Sequence, residues 1–365
     1  MYFCINWKNN NLKKIQRERR IYRTENAFNG NIKVPVRSLC PLAHKQMPKV
    51  YDKVNVKIKP DWLKIKLHSD DGFARVAKIV EQHGLHTICS SGRCPNKAEC
   101  WSRKTATFMI LGDVCTRGCR FCATATGKPL PIDAGEPEKV ARSIALMELR
   151  HAVITSVTRD DLADGGAAHW HDVIRAVRAA NPQTTIEVLI PDMDGRAELL
   201  DIILAARPDI TGHNIETVER LTPEIRSRAR YRTSLGTLSY IATSGSAAKS
   251  GIMVGLGEMR DEVLAAMDDL RTAGVEIITL GQYLRPTAGH APVAEYVTPE
   301  TFDFYRQEAL ARGFSYVASG PLVRSSYMAE QALPALKTQV GSTLRSERKE
   351  RRLSLPSREE KGVCQ

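Results

Sequence analysis

From residue 105 onward the apolar positions follow two periods in turn. Short apolar runs of strand length are "TFMILGDV" (107–114), "AVITSV" (152–157), "TTIEVLIP" (184–191), "DITGHN" (209–214), "SGIMVGL" (250–256) and "VEIITLGQYL" (275–284). Between them apolar residues recur every three or four positions, in "EPEKVARSIALMELR" (136–150), "HWHDVIRAVRAA" (169–180), "RAELLDIILAA" (196–206), 233–243 and "RDEVLAAMDDL" (260–270). One more helix is predicted over 299–312, with Pro299 in its first turn. Strand-length runs alternating with helices predict βαβ units and a parallel sheet. Six such units fit an α/β fold of full or partial (β/α) barrel type, with a doubly wound sheet as the rival. In either fold ligands gather at the carboxyl ends of the strands.

Composition supports a large core, since 42% of the 365 residues are hydrophobic. Charge changes the picture only at the ends. Residues 1–50 carry +9 and residues 341–365 carry +3, while the body between them has 35 charges of each sign. A nucleic-acid enzyme would carry a basic face on its body, so no nucleic acid is expected as a partner. No apolar run approaches the roughly 18 residues of a membrane span, so no membrane is expected either. The first 30 residues lack the apolar stretch and cleavage site of a secretory signal. Residues 1–50 are expected to be a basic, disordered leader and 341–365 a charged, disordered tail. The expected location is cytoplasmic, or an organelle matrix if the leader is a transit peptide.

Cysteine usage is more informative. Six of the nine cysteines lie between 89 and 122, which points to metal in a reducing compartment. Cys115, Cys119 and Cys122 form a C-x3-C-x2-C triplet directly after the first predicted strand, on the first βα loop. A closed zinc site takes four Cys or His ligands, and His151, His169 and His171 are poorly placed to be the fourth. Three thiolates on a [4Fe–4S] cube leave one iron open to a substrate or cofactor. Zinc and a partial redox motif are the alternatives. The second triplet, Cys89, Cys94 and Cys100 in "CSSGRCPNKAEC", precedes the first strand; alone it would read as zinc or a structural clip.

The C-x3-C-x2-C spacing with Phe121 before its last cysteine resembles the signature of the radical S-adenosylmethionine (SAM) enzymes. The ordered pair of triplets resembles the lipoyl synthase family within that group. So do "KPDWLKIKL" (59–67), "TATFMILGDVCTRGCRFC" (105–122), "ITSVTRDDLADGGA" (154–167), "GHNIETV" (212–218), "SGIMVGLGE" (250–258), "TLGQYLRP" (279–286) and "VRSSY" (323–327). The resemblance covers about 51–330 and not the two ends.

The resemblance implies a partial (β/α)6 barrel over 105–290. It also implies an extension over 51–104 carrying an auxiliary [4Fe–4S] cluster on Cys89, Cys94 and Cys100, and a C-terminal extension over 291–340. It implies sulfur insertion at C6 and C8 of an octanoyl chain amide-linked to a lysine, with two SAM consumed and sulfur drawn from the auxiliary cluster. A second [4Fe–4S] cluster, on Cys115, Cys119 and Cys122, would cleave SAM to a 5′-deoxyadenosyl radical. Such chemistry suits an unactivated methylene, which has neither an acidic proton nor a leaving group. Ser326 would be the fourth auxiliary ligand; "RSSY" alone would read as a helix cap. An alkoxide is a less usual iron ligand than thiolate and suits a cluster that comes apart.

Thr155, Ser156, Arg159, Asp160 and Asp161 end the second strand and are candidates for the methionine end of SAM. Asn214, Gly251, Gly255 and Glu258 are further SAM candidates, and Arg324 could position the auxiliary cluster. Implied partners are octanoylated lipoyl carrier domains (2-oxoacid dehydrogenase E2 subunits and the glycine cleavage H protein). A low-potential electron donor such as ferredoxin or flavodoxin and an iron–sulfur carrier for cluster rebuilding complete the set. Biotin synthase, a methylthiotransferase and a non-catalytic two-cluster electron carrier are the rival readings.

Overall fold

A computed structural model describes residues 59–64, 70–102 and 106–332. The expected leader, the charged tail and the last part of the expected C-terminal extension lie outside these residues. Seven parallel strands form the main sheet: β1 (Thr107–Ile110), β2 (His151–Ser156), β3 (Thr185–Leu189), β4 (Ile210–Gly212), β5 (Ala247–Val254), β6 (Ile277–Gln282) and β7 (Tyr316–Gly320). They lie side by side in chain order, and β1 and β7 are the two edges. The sheet is therefore an open, partial barrel. The expectation of six strands is short by one: β7 pairs in parallel with β6, Ile277 opposite Tyr316 through Gly281 opposite Gly320. The barrel sheet thus runs past residue 290 into the segment expected to be extension.

Before the barrel come α1 (Asp71–Gln82), α2 (Ile88–Ser91) and α3 (Lys97–Ser102). Within it are α4 (Glu136–Met147), α5 (Ala167–Ala180), α6 (Ala197–Ala205), α7 (Tyr231–Thr243), α8 (Arg260–Thr272) and α9 (Pro299–Ala311). Each covers the sheet with its apolar stripe. In α4 the buried positions are Val140, Ala141, Ile144 and Met147, and in α5 they include Trp170, Val173, Ile174 and Val177. This is the i, i+3/i+4, i+7 spacing of one helix face.

The strands alternate with period two. Phe108 and Ile110 of β1, Ala152 and Ile154 of β2, and Ile186 and Val188 of β3 are fully buried. Thr107 and Met109, Val153 and Thr155, and Glu187 and Leu189 are their alternates, and these line a cavity inside the barrel. Glu187 can occupy a strand interior because Lys249 of β5 donates to it at 2.6 Å. Burial opposes the Glu187 charge, and the Lys249 ammonium outweighs it, holding the carboxyl below its usual range. After β7 the chain turns at Ala329–Gln331, and Ala332 packs with Ile210 and Ile277 at the amino ends of β4 and β6.

Candidate active site

The barrel encloses a cavity of about 580 Å³ at the carboxyl ends of the strands. Cys89 and Cys94 of the first triplet in the chain, all three of Cys115, Cys119 and Cys122, and Arg324, Ser325 and Ser326 all open on it. So do Phe121, Thr155, Ser156, Asn214 and Gly251. Cys100 does not line the cavity; it packs against the core from α3.

The loop of Cys115, Cys119 and Cys122 is closed at its base. Val114–Cys115 pairs in parallel with Ala125–Thr126, and Gly127 N–H donates to Cys115 O at 3.0 Å. At its tip Arg120 N–H donates to Ile225 O at 2.8 Å, and His290 Nε2 lies 2.9 Å from Cys122 O. Cys115 Sγ accepts two backbone amides, from Arg117 at 3.4 Å and from Thr158 at 3.3 Å. The turn that feeds this loop is left-handed at Leu111 (φ 67°) and Gly112 (φ 94°). Leu111 N–H donates to Glu136 at 2.8 Å, and Glu136 also meets His169 at 2.7 Å.

The other triplet is built on short helices. Thr87 caps α2, accepting from Ser90 N–H at 3.3 Å, and so presents Cys89 in its first turn. Cys94 follows a left-handed Arg93 (φ 50°), and Cys100 lies in α3. Two bonds tie this segment to the "RSSY" stretch more than 220 residues later. Asn96 donates to Leu322 O at 2.6 Å, and Tyr327 donates to Glu99 at 3.2 Å. Gly281 of β6 makes room for the same stretch, because a Cβ there would run into Val323 O. Ser325 accepts from Asn214 at 2.7 Å, while Ser326 faces the cavity.

The donor set fits iron–sulfur clusters. All six cysteines are thiols rather than disulfides. Burial pushes the Cys94 thiol up, and Cys89 pushes it further. Burial does the same to Cys122, with Cys119 and Cys115 adding to it. Thiols held in this way ionise when metal compensates their charge.

The remaining candidates divide. Asp161 pairs with Arg159 at 2.9 Å, and Arg159 also donates to Leu111 O at 3.3 Å. Asp160 is taken up by Arg117 and Thr116. Glu258 folds back on the amides of Gly255 and Leu256, closing the turn after β5. None of Arg159, Asp160, Asp161, Gly255 and Glu258 lines the cavity.

Other site groups left no trace in the spacing. Arg117, only 6% exposed in its side chain, meets three carboxylates: Asp160 at 2.8 Å, Asp192 at 2.9 Å and Asp194 at 3.1 Å. Its place inside "CTRGC" is the one available signal, since a charged residue between two buried ligands needs a partner. A second chain of bonds runs Arg226 to Ser234 (2.8 Å) to His213 (2.9 Å) to Ile190 O (2.9 Å). Ser234 accepts from Arg226 and donates to Nε2, so His213 is a neutral Nδ1–H tautomer. Burial and then the Arg226 charge push its pKa down to about 4.

A model of the Radical SAM superfamily matches residues 109–270. A lipoyl synthase of Parabacteroides distasonis is 60% identical over 273 residues, covering 75% of this chain and 97% of that protein. A lipoyl synthase of Bacteroides thetaiotaomicron shows the same identity and coverage. One of Treponema denticola is 54% identical, covering 75% of this chain and 94% of its own. Among solved structures, a methylornithine synthase aligns at a TM-score of 0.46 with 12% identity, over 71% of this chain and 81% of that one. The relatives in sequence carry the assignment, and with five of the six cysteines and both serines of "RSSY" opening on one barrel cavity, this chain belongs to the lipoyl synthase family of radical SAM enzymes.

Proposed function

We infer that the chain inserts two sulfur atoms into a protein-bound octanoyl-lysine, at C6 and C8, and that its described residues divide the work between two metal sites on one cavity. The observation that carries this is the shared cavity: five of the six cysteines and Ser326 open on it. When bound, the cluster on Cys115, Cys119 and Cys122 supplies the electron that cleaves SAM, and the cluster on Cys89, Cys94 and Cys100 supplies sulfur. The protein's contribution is placement. A carbon radical needs a sulfur donor within bonding distance, and enclosing both sites excludes water and competing reactions.

Ser326 is assigned as the fourth auxiliary ligand. Asn96–Leu322 and Tyr327–Glu99 hold its segment against the Cys94–Cys100 stretch, and the neighbouring Ser325 is occupied by Asn214. Arg324 is buried on the same side, and its charge favours the Cys94 thiolate. Phe121, Thr155, Ser156 and Asn214 are assigned to the SAM wall. The Ser156 hydroxyl is buried with no partner in the protein, as a group awaiting a ligand would be. Asp161, Gly255 and Glu258 support that wall from behind. Residues 71–102 form the auxiliary arm and 107–320 the barrel sheet with its helices. Lipoyl carrier domains present the substrate lysine; a low-potential electron-transfer protein and an iron–sulfur carrier complete the cycle.

The test is an anaerobic assay with reconstituted, reduced protein, SAM and an octanoyl-lysine peptide. Mass spectrometry should show addition of two sulfurs together with 5′-deoxyadenosine. Deoxyadenosine without any sulfur addition would overturn the assignment of the auxiliary site.

A further inference from the structure

The Arg117 cluster is larger than holding a loop requires. A guanidinium with 6% of its side chain exposed makes five charge-assisted bonds of 2.8–3.1 Å to Asp160, Asp192 and Asp194. Burial opposes its charge, but Asp160 and Asp192 hold the pKa above the ordinary arginine value. Asp160 is bound twice over, since Thr116 Oγ1 also donates to it at 3.1 Å and Asp160 N–H donates back to Thr116 Oγ1 at 3.1 Å. The Thr116 amide donates to the carbonyl of Thr158 at 3.0 Å, and the single hydroxyl proton, 3.0 Å from the same carbonyl, is shared between it and Asp160. Every one of these bonds joins the cysteine loop to the loop after β2 or to the turn after β3.

At the centre of this clamp lies Cys115 Sγ, with the amides of Arg117 and Thr158 directed at it. One amide comes from each side of the clamp. Hydrogen bonds to cluster sulfurs stabilise the more negative, reduced state and raise the reduction potential. Outer partners that fix such bonds carry a large share of a metal site's properties.

We propose that Arg117 and Asp160 are positioning residues for the radical triplet: they lock the loop at 157–160 onto the cysteine loop, keep the Thr158 amide on Cys115 Sγ, and thereby raise the reduction potential of the cluster held there. The proposal rests on the reading of Cys115 as a cluster ligand. Asp160→Asn weakens the clamp without changing the backbone. Thr116→Val removes the hydroxyl bonds to Thr158 and Asp160 while keeping the side chain's shape.

The experiment uses the full chain carrying Cys89→Ala, Cys94→Ala and Cys100→Ala, so that one cluster remains, and follows its paramagnetic signal in a redox titration. Asp160→Asn and Thr116→Val should each retain the cluster and shift its midpoint to lower potential, and Asp160→Glu should restore part of the shift. Asp209→Asn is the control for stability alone. That carboxylate accepts from Arg178 at 2.7 Å and Ile186 N–H at 2.8 Å, at the other end of the strands. It should lower the melting temperature and leave the midpoint in place. An unchanged midpoint in Thr116→Val, with the cluster retained, would overturn the proposal and leave the clamp purely structural. If Asp160→Asn takes up no cluster, Thr116→Val decides alone. A parent chain that holds no four-iron cluster would instead remove the ligand assignment itself.

Discussion

The two cysteine triplets contribute five thiols to one cavity but are held in opposite ways. The loop of Cys115, Cys119 and Cys122 grows from the end of β1, closes on itself through a short parallel pair, and is clamped by a buried guanidinium among three carboxylates. The segment of Cys89, Cys94 and Cys100 stands on two helices of four and six residues, outside the sheet. Its last ligand, as assigned, comes from a remote stretch joined to it by bonds that include Asn96 to Leu322 O and Tyr327 to Glu99. The difference matches the chemistry. A site that delivers an electron again and again needs a fixed geometry. A site that gives up its sulfur must open and be rebuilt, and a segment on short helices outside the sheet, closed by the assigned Ser326, suits that.

The largest expected effect separates the two sites outright. Changing Cys115, Cys119 or Cys122 to Ala should abolish 5′-deoxyadenosine formation. Changing Cys89, Cys94 or Cys100 to Ala should abolish thiolated product while SAM cleavage continues. Identical behaviour of the two sets, with the untouched cluster retained, would erase the division of labour. Iron analysis of the unchanged chain should give about eight irons, two four-iron cubes.

Next is Ser326→Ala, expected to lower sulfur insertion about 100-fold or more, since losing even an outer partner of a metal ligand costs about 10–100-fold, and SAM cleavage far less. Ser325→Ala should be milder, because Ser325 serves Asn214. Equal losses in cleavage and insertion for Ser326→Ala would argue against a ligand role. Gly281→Ala follows. A methyl group there displaces Val323 and the stretch after it, and misplacement on this scale should cost about tenfold or more in insertion. Both products of the reaction, quantified side by side, check it; an effect on SAM cleavage alone would place the fault in the wrong site.

The smallest effect concerns His213, beneath the clamped site. Its folded pKa of about 4 lies below the ordinary value of 6.5. Folding therefore disfavours the proton, so its stability is fully present above pH 6.5 and is lost as pH falls toward 4. The shift corresponds to about 3 kcal/mol. Urea unfolding at a series of pH values should show this slope, and His213→Asn should flatten it. Asp160 and Asp192 are also depressed, burial being outweighed by Arg117 for the first and by Arg117 together with the Asp194 amide for the second. Their contribution is lost only below about pH 4, the ordinary carboxylate range. No slope between pH 6.5 and 4 would mean that His213 is charged in the folded protein.

What the sequence disclosed follows from distance along the chain. Both triplets were legible because their ligands lie within twelve residues of one another. The first six strands were legible as apolar runs buried on both faces. The seventh, "YVASG", mixes Tyr, Ser and Gly and is half-buried throughout, so no run marks it. Asp160 and Asp161 show the limit best. They are adjacent and chemically alike, yet one answers Arg117, 43 residues away, and the other answers Arg159, two residues away. No period or motif separates them, because only the packing of one loop on another decides which carboxylate turns inward. Gly281 shows the reverse: it reads as an ordinary strand glycine until Val323 is seen to need its place.

The bond from Asn96 to Leu322 also has a consequence in time. A ribosome adds about 5–20 residues each second, so on the order of 10 to 45 seconds separate the emergence of Cys100 from that of Ser326. During that interval Cys89, Cys94 and Cys100 stand on a segment whose assigned closing partner does not yet exist. The barrel strands and the clamped cysteine loop are made in the meantime. With Ser326 as the assigned ligand, completion of the auxiliary site is thus a late event in the life of each new chain.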